Sequence, residues 1–160
     1  MSKIKLNETI GYRPANQQDV ELAYQIKSKS LKPYVEQIWG WNEQFQAKAH
    51  QERFNCNAVI FVLYNGLEVG FYELARRNNI ITLANILIID QYQSKGIGKI
   101  VMDKVCQEVE AQKCSLQLQV FKINTRAQQF YKRNGFRKIG ETPHHHILER
   151  VLATPTQREK

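Results

Sequence analysis

The chain has 160 residues, 42% hydrophobic and 24% charged, which suffices for one ordinary packed domain without disulfides or structural metals and excludes an intrinsically disordered chain. The longest apolar run, Ala58 to Tyr64, is too short to span a bilayer, and the N-terminus MSKIKLNETI lacks the apolar core of a secretory signal, so no membrane association and a cytoplasmic location are expected. Against 15 acidic side chains stand 23 basic ones, a formal charge of +8 that attracts polyanions of any kind and leaves open a phosphate-bearing cofactor, a nucleic acid or an acidic protein.

In chain order, Tyr12 to Ala15 reads as the end of a first strand, and Asn16 with Asp19 three residues later reads as a helix start whose side chains satisfy free backbone N–H groups. The helix is expected to run to about Ser30. Pro33 is placed to open a second helix, on which Tyr34, Ile38, Trp41 and Phe45 recur at helical spacing, with Trp41 facing the core. AVIFVLY, the pair Asn65-Gly66 and LEVGFYEL carry the pattern of two strands joined by a tight hairpin. RRNN at 76–79 supplies the next turn, and ITLANILIID reads as a central strand covered on both faces.

Ile97, Val101, Val105 and Val109 repeat every four residues, which predicts an amphipathic helix from Gly98 to Gln112 packed on the sheet. LQLQV at 116–120 alternates as a strand, Thr125 to Asn134 is helical, and Gly135 stands where a left-handed helix terminus favours glycine. Phe136 to Glu141 resumes extended structure, and a last strand is expected over Ile147 to Leu152. The order β-α-α-β-β-β-α-β-α-β-β describes a mixed α/β sheet with helices on both faces, one domain over 1–153 and a polar tail over 154–160. Cys56, Cys106 and Cys114 form no CxxC pair and are read as reduced core residues.

The segment with chemical content is Gln93-Ser94-Lys95-Gly96-Ile97-Gly98, which joins the end of the central strand to a helix start. Backbone N–H groups converge at such a turn, the helix dipole adds positive potential, and the missing side chains at Gly96 and Gly98 admit phosphate oxygens. Two glycines beside a lysine also suit a loop that needs glycine only for backbone geometry. The spacing is neither that of a P-loop nor that of a dinucleotide-binding turn. Q-x-x-G-x-G at 93–98 resembles the acetyl-CoA pyrophosphate loop of the GNAT acetyltransferases, and Asn124, Ala127, Phe130, Tyr131, Gly135 and Phe136 match that family's N-x-x-A-x-x-F-Y-x-x-x-G-F. YVEQIWGWNEQ at 34–44 is similar to a segment of a bacterial subgroup of the family and implies no particular acceptor.

The resemblance implies a GNAT fold with a mostly antiparallel central sheet and an enzyme that moves an acetyl group from acetyl-CoA to a primary amine by direct attack in a ternary complex. Leu87, Ile88 and Ile89 would meet the pantetheine arm, with the N–H near Ile88 steadying the oxyanion. Gln93, Ser94, Lys95, Gly96, Ile97, Gly98 and Lys99 would hold the pyrophosphate, and Asn124, Ala127 and Tyr131 would border the groove. Tyr131 is the candidate acid, its alternative role being packing or hydrogen bonding to the cofactor without proton transfer, and Phe130 is expected in the core. Glutamate stands in some family members where this chain has Thr82. Glu73 is therefore the candidate base through a water, against the plainer reading of a solvated strand carboxylate.

The resemblance implies that the region of Trp39, Trp41, Glu43 and Gln44 shapes the acceptor pocket, and Trp39 and Glu43, four apart, are the candidate acceptor contacts there. His144, His145 and His146 complete no metal site, because alternate strand residues face opposite sides and only His144 and His146 converge, so no metal is expected. Lys95, Lys99, Lys122, Arg126 and Arg133 account for part of the charge as a cofactor-facing surface. A nucleic-acid-associated member of the family is the alternative that the remaining charge supports, and a non-catalytic acyl-CoA sensor is the alternative that Thr82 supports. Dimers are common in the family, so a homodimer is among the implied states.

Overall fold

The computed structural model describes residues 9–151. The tail at 154–160 and the end of the expected last strand, Leu152, lie outside them. The strands are β1 (Ile10–Pro14), β2 (Val59–Tyr64), β3 (Leu67–Arg77), β4 (Ile80–Ile88), β5 (Ser115–Phe121), β6 (Arg137–Glu141) and β7 (His145–Arg150). The helices are α1 (Val20–Trp39), α2 (Glu43–Arg53), α3 (Ile97–Ala111) and α4 (Thr125–Arg133), in the order the sequence predicts. The strands lie in the order β1-β2-β3-β4-β5-β7-β6. β4 and β5 run parallel, as a crossover through α3 allows, whereas β1–β2, β2–β3, β5–β7 and β6–β7 are antiparallel.

Two compact units divide the described residues, 9–74 with 84–101 and 75–83 with 102–151. In the first, Asn16 and Asp19 form the expected capping box, and Asp19 also receives Arg13 at 2.8 Å. Arg13 reaches Glu68 at 3.0 Å and lies 4.7 Å from the centre of the Phe61 ring. Phe61 packs edge-on to Phe71 at 5.9 Å, with Ala23, Ile26 and Val59 around them. The Asn65-Gly66 hairpin forms as expected, with both residues at positive φ (51° and 84°), the backbone a two-residue turn between twisted strands needs.

Pro33 does not open a helix. α1 runs through it to Trp39 and stops at Gly40 (φ 79°), whose N–H returns to the Glu36 carbonyl at 3.1 Å. Asn42 then caps α2 by accepting the Phe45 N–H at 2.9 Å. An interior proline costs about 3 kcal/mol by removing one ladder bond and crowding the preceding turn. Tyr24, Lys27, Ser28, Leu31 and Val35, which line one groove, explain why α1 nonetheless continues, since their spacing is that of a single helical stripe that a break would split. The expected common face of Ile38, Trp41 and Phe45 is broken at Gly40, leaving Trp41 between the helices and Phe45 57% exposed.

β4 differs from expectation as well: Ile81 and Leu83 are buried while Thr82 and Ala84 are exposed, so its first half is covered on one face only. Period-two alternation explains this, since a threonine and an alanine on the second face need no cover. In the second unit Met102, Val105, Cys106 and Val109 form the buried stripe of α3, and Leu116, Leu118 and Val120 the buried face of β5. Cys106 and Cys114 are buried free thiols, but Cys56 lies half-exposed in a turn because the chain leaves α2 there before entering β2. Phe136 is buried, whereas Phe130 is only half-buried on α4, whose face it shares with polar neighbours. Among the described residues no helix is long and apolar enough to cross a membrane.

Gly70 on β3 is required by a neighbour rather than by its own φ. A Cβ there would lie 2.0 Å from the Leu87 carbonyl oxygen and 2.9 Å from Ile88 Cδ1. Backbone cannot yield as a side-chain tip can, so Gly70→Ala is expected to destabilise the fold by about 2–3 kcal/mol, the upper part of the range for overpacking. Denaturant titration measures this, and a midpoint equal to that of the parent would refute it.

Candidate active site

The turn after β4 is built by its own side chains. Gln93 Nε2 donates to the Ile88 carbonyl at 2.7 Å and to Asp90 Oδ1 at 3.3 Å, while the Ile89 N–H donates to the Val69 carbonyl at 2.9 Å. Tyr92 packs edge-on to Tyr64 at 5.4 Å. Of the groups expected to meet a ligand, the Gln93 amide, the Ile88 carbonyl and the Ile89 N–H are thus engaged in fixing the strand end. Ser94 and Gly96 take positive φ (63° and 88°), and Ile97, 1% exposed, anchors the start of α3. A Cβ at Gly96 would meet no atom within 4 Å, so the space before the helix is open. Lys95 is half-buried, Lys99 exposed and Gly98 half-buried on the first turn. First-turn N–H groups have no intrahelical acceptor, and with the helix dipole they make this end an anion-binding position.

Asn124 caps α4 by accepting the Ala127 N–H at 3.1 Å, which spends its side chain on the helix start. Ala127 and Tyr131 lie one turn apart on one face, both half-buried. The Tyr131 ring packs edge-on to Phe130 at 5.6 Å and Phe136 at 5.5 Å, and its hydroxyl makes no hydrogen bond to a described residue. Burial pushes this phenol up to about 12, so it keeps its proton throughout the neutral range. Lys122, expected in the cofactor-facing basic set, is paired with Glu141 at 3.0 Å. His145 stacks on Phe121 at 4.5 Å, His146 follows it in β7, and His144 precedes the strand, so the alternation expected to bring His144 and His146 together covers only two of the three.

A groove of about 430 Å³ opens in the first unit between α1, α2, β3 and β4. Its charged and polar lining includes Lys27, His50, Arg53, Glu73 and Asn85, with Ser28 and Gln46 beside them, and its apolar walls include Leu31, Val35, Trp41, Phe54 and Ala84. Glu73 is half-buried, with Oε1 accepting from Asn85 Nδ2 at 2.9 Å and no described residue bonded to Oε2. His50, 9% exposed, packs between Tyr24 and Phe54 and directs Nε2 at the Val20 carbonyl, 3.0 Å away. A carbonyl only accepts, so Nε2 carries the proton, and burial lowers the imidazole pKa, favouring the neutral ring. Burial also lowers Lys27, against the pull of Glu73 and with the push of Arg53.

Glu43 does not line the groove but braces it. It accepts from the Tyr24 hydroxyl and from Trp41 Nε1 at 2.9 Å, tying the start of α2 to α1. Trp39, 58% exposed, is absent from the lining, and the two acceptor candidates lie on separate helices instead of one face. Lys27, His50 and Arg53 escaped sequence reasoning. A helix was legible over the first part of α1, but the turn that folds α2 back onto it depends on Gly40 and Asn42, and periodicity read across that point put Trp39 and Glu43 on one face, where the structure has them on separate helices.

The model of the acetyltransferase (GNAT) domain family matches residues 30–149. The N-acetyltransferase PaiA of Thermoplasma acidophilum, solved in complex with coenzyme A, is similar in structure with a TM-score of 0.75 at 19% identity, covering 90% of this chain and 99% of its own. An acetyltransferase of the GNAT family from Staphylococcus aureus Mu50 matches with a TM-score of 0.71 at 23% identity, over 91% and 100% of the two chains. The ribosomal-protein-S18-alanine N-acetyltransferase of Escherichia coli matches with a TM-score of 0.66 at 21% identity, over 92% and 97%. No curated protein matches by sequence.

Proposed function

The chain belongs to the GNAT acetyltransferase family, and we propose that it transfers an acetyl group from acetyl-CoA to a primary amine held in the groove beside Glu73. The observation that carries this reading is a half-buried carboxylate with one oxygen fixed by Asn85 and the other unbonded, in a groove lined by the middle of β4. Acetyl-CoA supplies the activated acetyl thioester. The residues at 93–98 fit its pyrophosphate, since open space faces Gly96, two residues take positive φ, and first-turn amides have no acceptor within their own helix.

An amine attacks only as the neutral base, so a proton has to leave an incoming ammonium. Glu73 Oε2 is the acceptor for that proton, directly or through a water, and Asn85 keeps the carboxylate aimed. Tyr131 is the donor to the departing sulfur, a role its protonated, unbonded hydroxyl suits. Asn124 orders the helix that carries Tyr131, and Leu87, Ile88 and the 93–99 turn hold the remainder of acetyl-CoA through the main chain. The reaction requires no metal, and the whole of 1–153 is taken as the catalytic domain.

Calorimetric titration of purified, nucleic-acid-free protein with acetyl-CoA, with desulfo-CoA and ATP as comparisons, tests the reading. Micromolar acetyl-CoA binding with much weaker ATP binding is the expected result, and absence of acetyl-CoA binding by folded protein would refute it.

A further inference from the structure

The charge in the groove exceeds what an amine acceptor calls for. Lys27 is half-buried and Arg53 stands at the exposed margin, and neither makes a hydrogen bond or ion pair with another described residue. They are close enough for the guanidinium to oppose protonation of Lys27. Among the described residues Glu73 is the one carboxylate in the lining, a single negative charge against two positive ones, and Asn85 fixes one of its oxygens. His50 donates its Nε2–H in a hydrogen bond to a carbonyl, and the Tyr24 hydroxyl is spent on Glu43, so neither adds negative charge to the groove. Two positive charges set against one carboxylate in a partly desolvated groove leave an excess of positive charge, which a bound anion relieves. A purely cationic acceptor, such as a polyamine or a lysine side chain, would add to it.

We propose that the acceptor is an amine that also bears a carboxylate, an amino-acid-like zwitterion with an apolar body. Its ammonium group lies toward Glu73, its carboxylate between Lys27 and Arg53, and its side chain against Leu31, Val35 and Phe54. Arginine and lysine together suit a carboxylate, the guanidinium by paired donors and the ammonium as a point charge. This inference rests on the groove being the acceptor site of the acetyltransferase proposed above.

Matched pairs test it: L-leucine against isoamylamine, L-phenylalanine against 2-phenylethylamine, and spermidine as the polycation. They are titrated calorimetrically into the CoA-saturated full chain and into the chain alone, with initial rates of acetyl transfer measured alongside. Each amino acid is expected to bind at least about tenfold more tightly than its decarboxylated partner, roughly the effect of one charge-assisted bond. Lys27→Gln should erase that preference by weakening the amino acid about tenfold without weakening the amine, which loses a like charge, and Arg53→Gln should act in the same direction. Equal binding within the pairs, tighter binding of spermidine, an unchanged preference in Lys27→Gln, or no binding of either amino acid would each overturn the proposal. Failure of the acetyltransferase reading has a different signature: no acetyl-CoA binding in the same instrument, whatever the amino acids do.

Discussion

Gly96→Glu is expected to lower acetyl-CoA affinity by at least about 100-fold in a chain that still folds. A carboxylate placed about 5 Å from one pyrophosphate charge at an effective dielectric near 20 costs about 3 kcal/mol, more than two factors of ten in affinity. The fold should survive because a side chain at this position enters open space, with no atom within 4 Å of its Cβ. What remains is backbone strain at φ 88°, about 1–2 kcal/mol for an L-residue. Gly96→Asn separates the two effects, since asparagine tolerates left-handed backbone and brings no charge. It should lose less than about tenfold in affinity. Circular dichroism verifies folding and calorimetry reads the affinity; a folded Gly96→Glu chain that binds acetyl-CoA as the parent does would mean that the turn is not the pyrophosphate site.

That turn was legible in the sequence because its message is local. A strand end, two glycines and a helix start lie within ten residues, and the structure reproduces each with Gly96 at positive φ and Ile97 buried. The capping box at Asn16, the hairpin at Asn65-Gly66 and the terminus at Gly135 were legible for the same reason. Their side chains or φ values are set by neighbours a few residues away. Gln93 shows the limit of such reading: its place in the motif was visible, but not that its amide would be spent on the Ile88 carbonyl.

The groove was illegible because nothing local encodes it. Lys27 and Glu73 are 46 positions apart, and their meeting depends on α1 ignoring Pro33, on Gly40 turning the chain and on Asn42 starting α2. A proline favours a break by about 3 kcal/mol, and only tertiary contacts outweigh it. The acceptor-side candidates named from sequence, Trp39 and Glu43, were placed by helical spacing across a point where the helix stops. Glu73 was visible only as a carboxylate on a strand. What distinguishes it is Asn85, twelve positions away on the next strand, which leaves one oxygen fixed and the other available.

Tyr131→Phe is expected to slow turnover by about 10 to 1,000-fold while leaving acetyl-CoA affinity and thermal stability nearly unchanged. The ring contacts with Phe130 and Phe136 are retained by phenylalanine, and the lost hydroxyl has no described hydrogen-bond partner. Stability should therefore move by no more than about 0.5 kcal/mol. A packing role predicts an ordinary rate, because phenylalanine keeps the same ring contacts. The pH profile adds a second discriminant. With its pKa at about 12, Tyr131 stays protonated wherever the protein is assayed, so the rise of rate with pH reports deprotonation of the acceptor amine and no alkaline decline arises from loss of the tyrosine proton below about pH 10. A thiol, near 8.5, is the stronger acid, so the phenol assists sulfur departure as a hydrogen-bond donor to the developing thiolate, which leaves as the carbon–sulfur bond breaks. An unchanged rate in Tyr131→Phe would assign protonation of the sulfur to solvent and leave the tyrosine to packing.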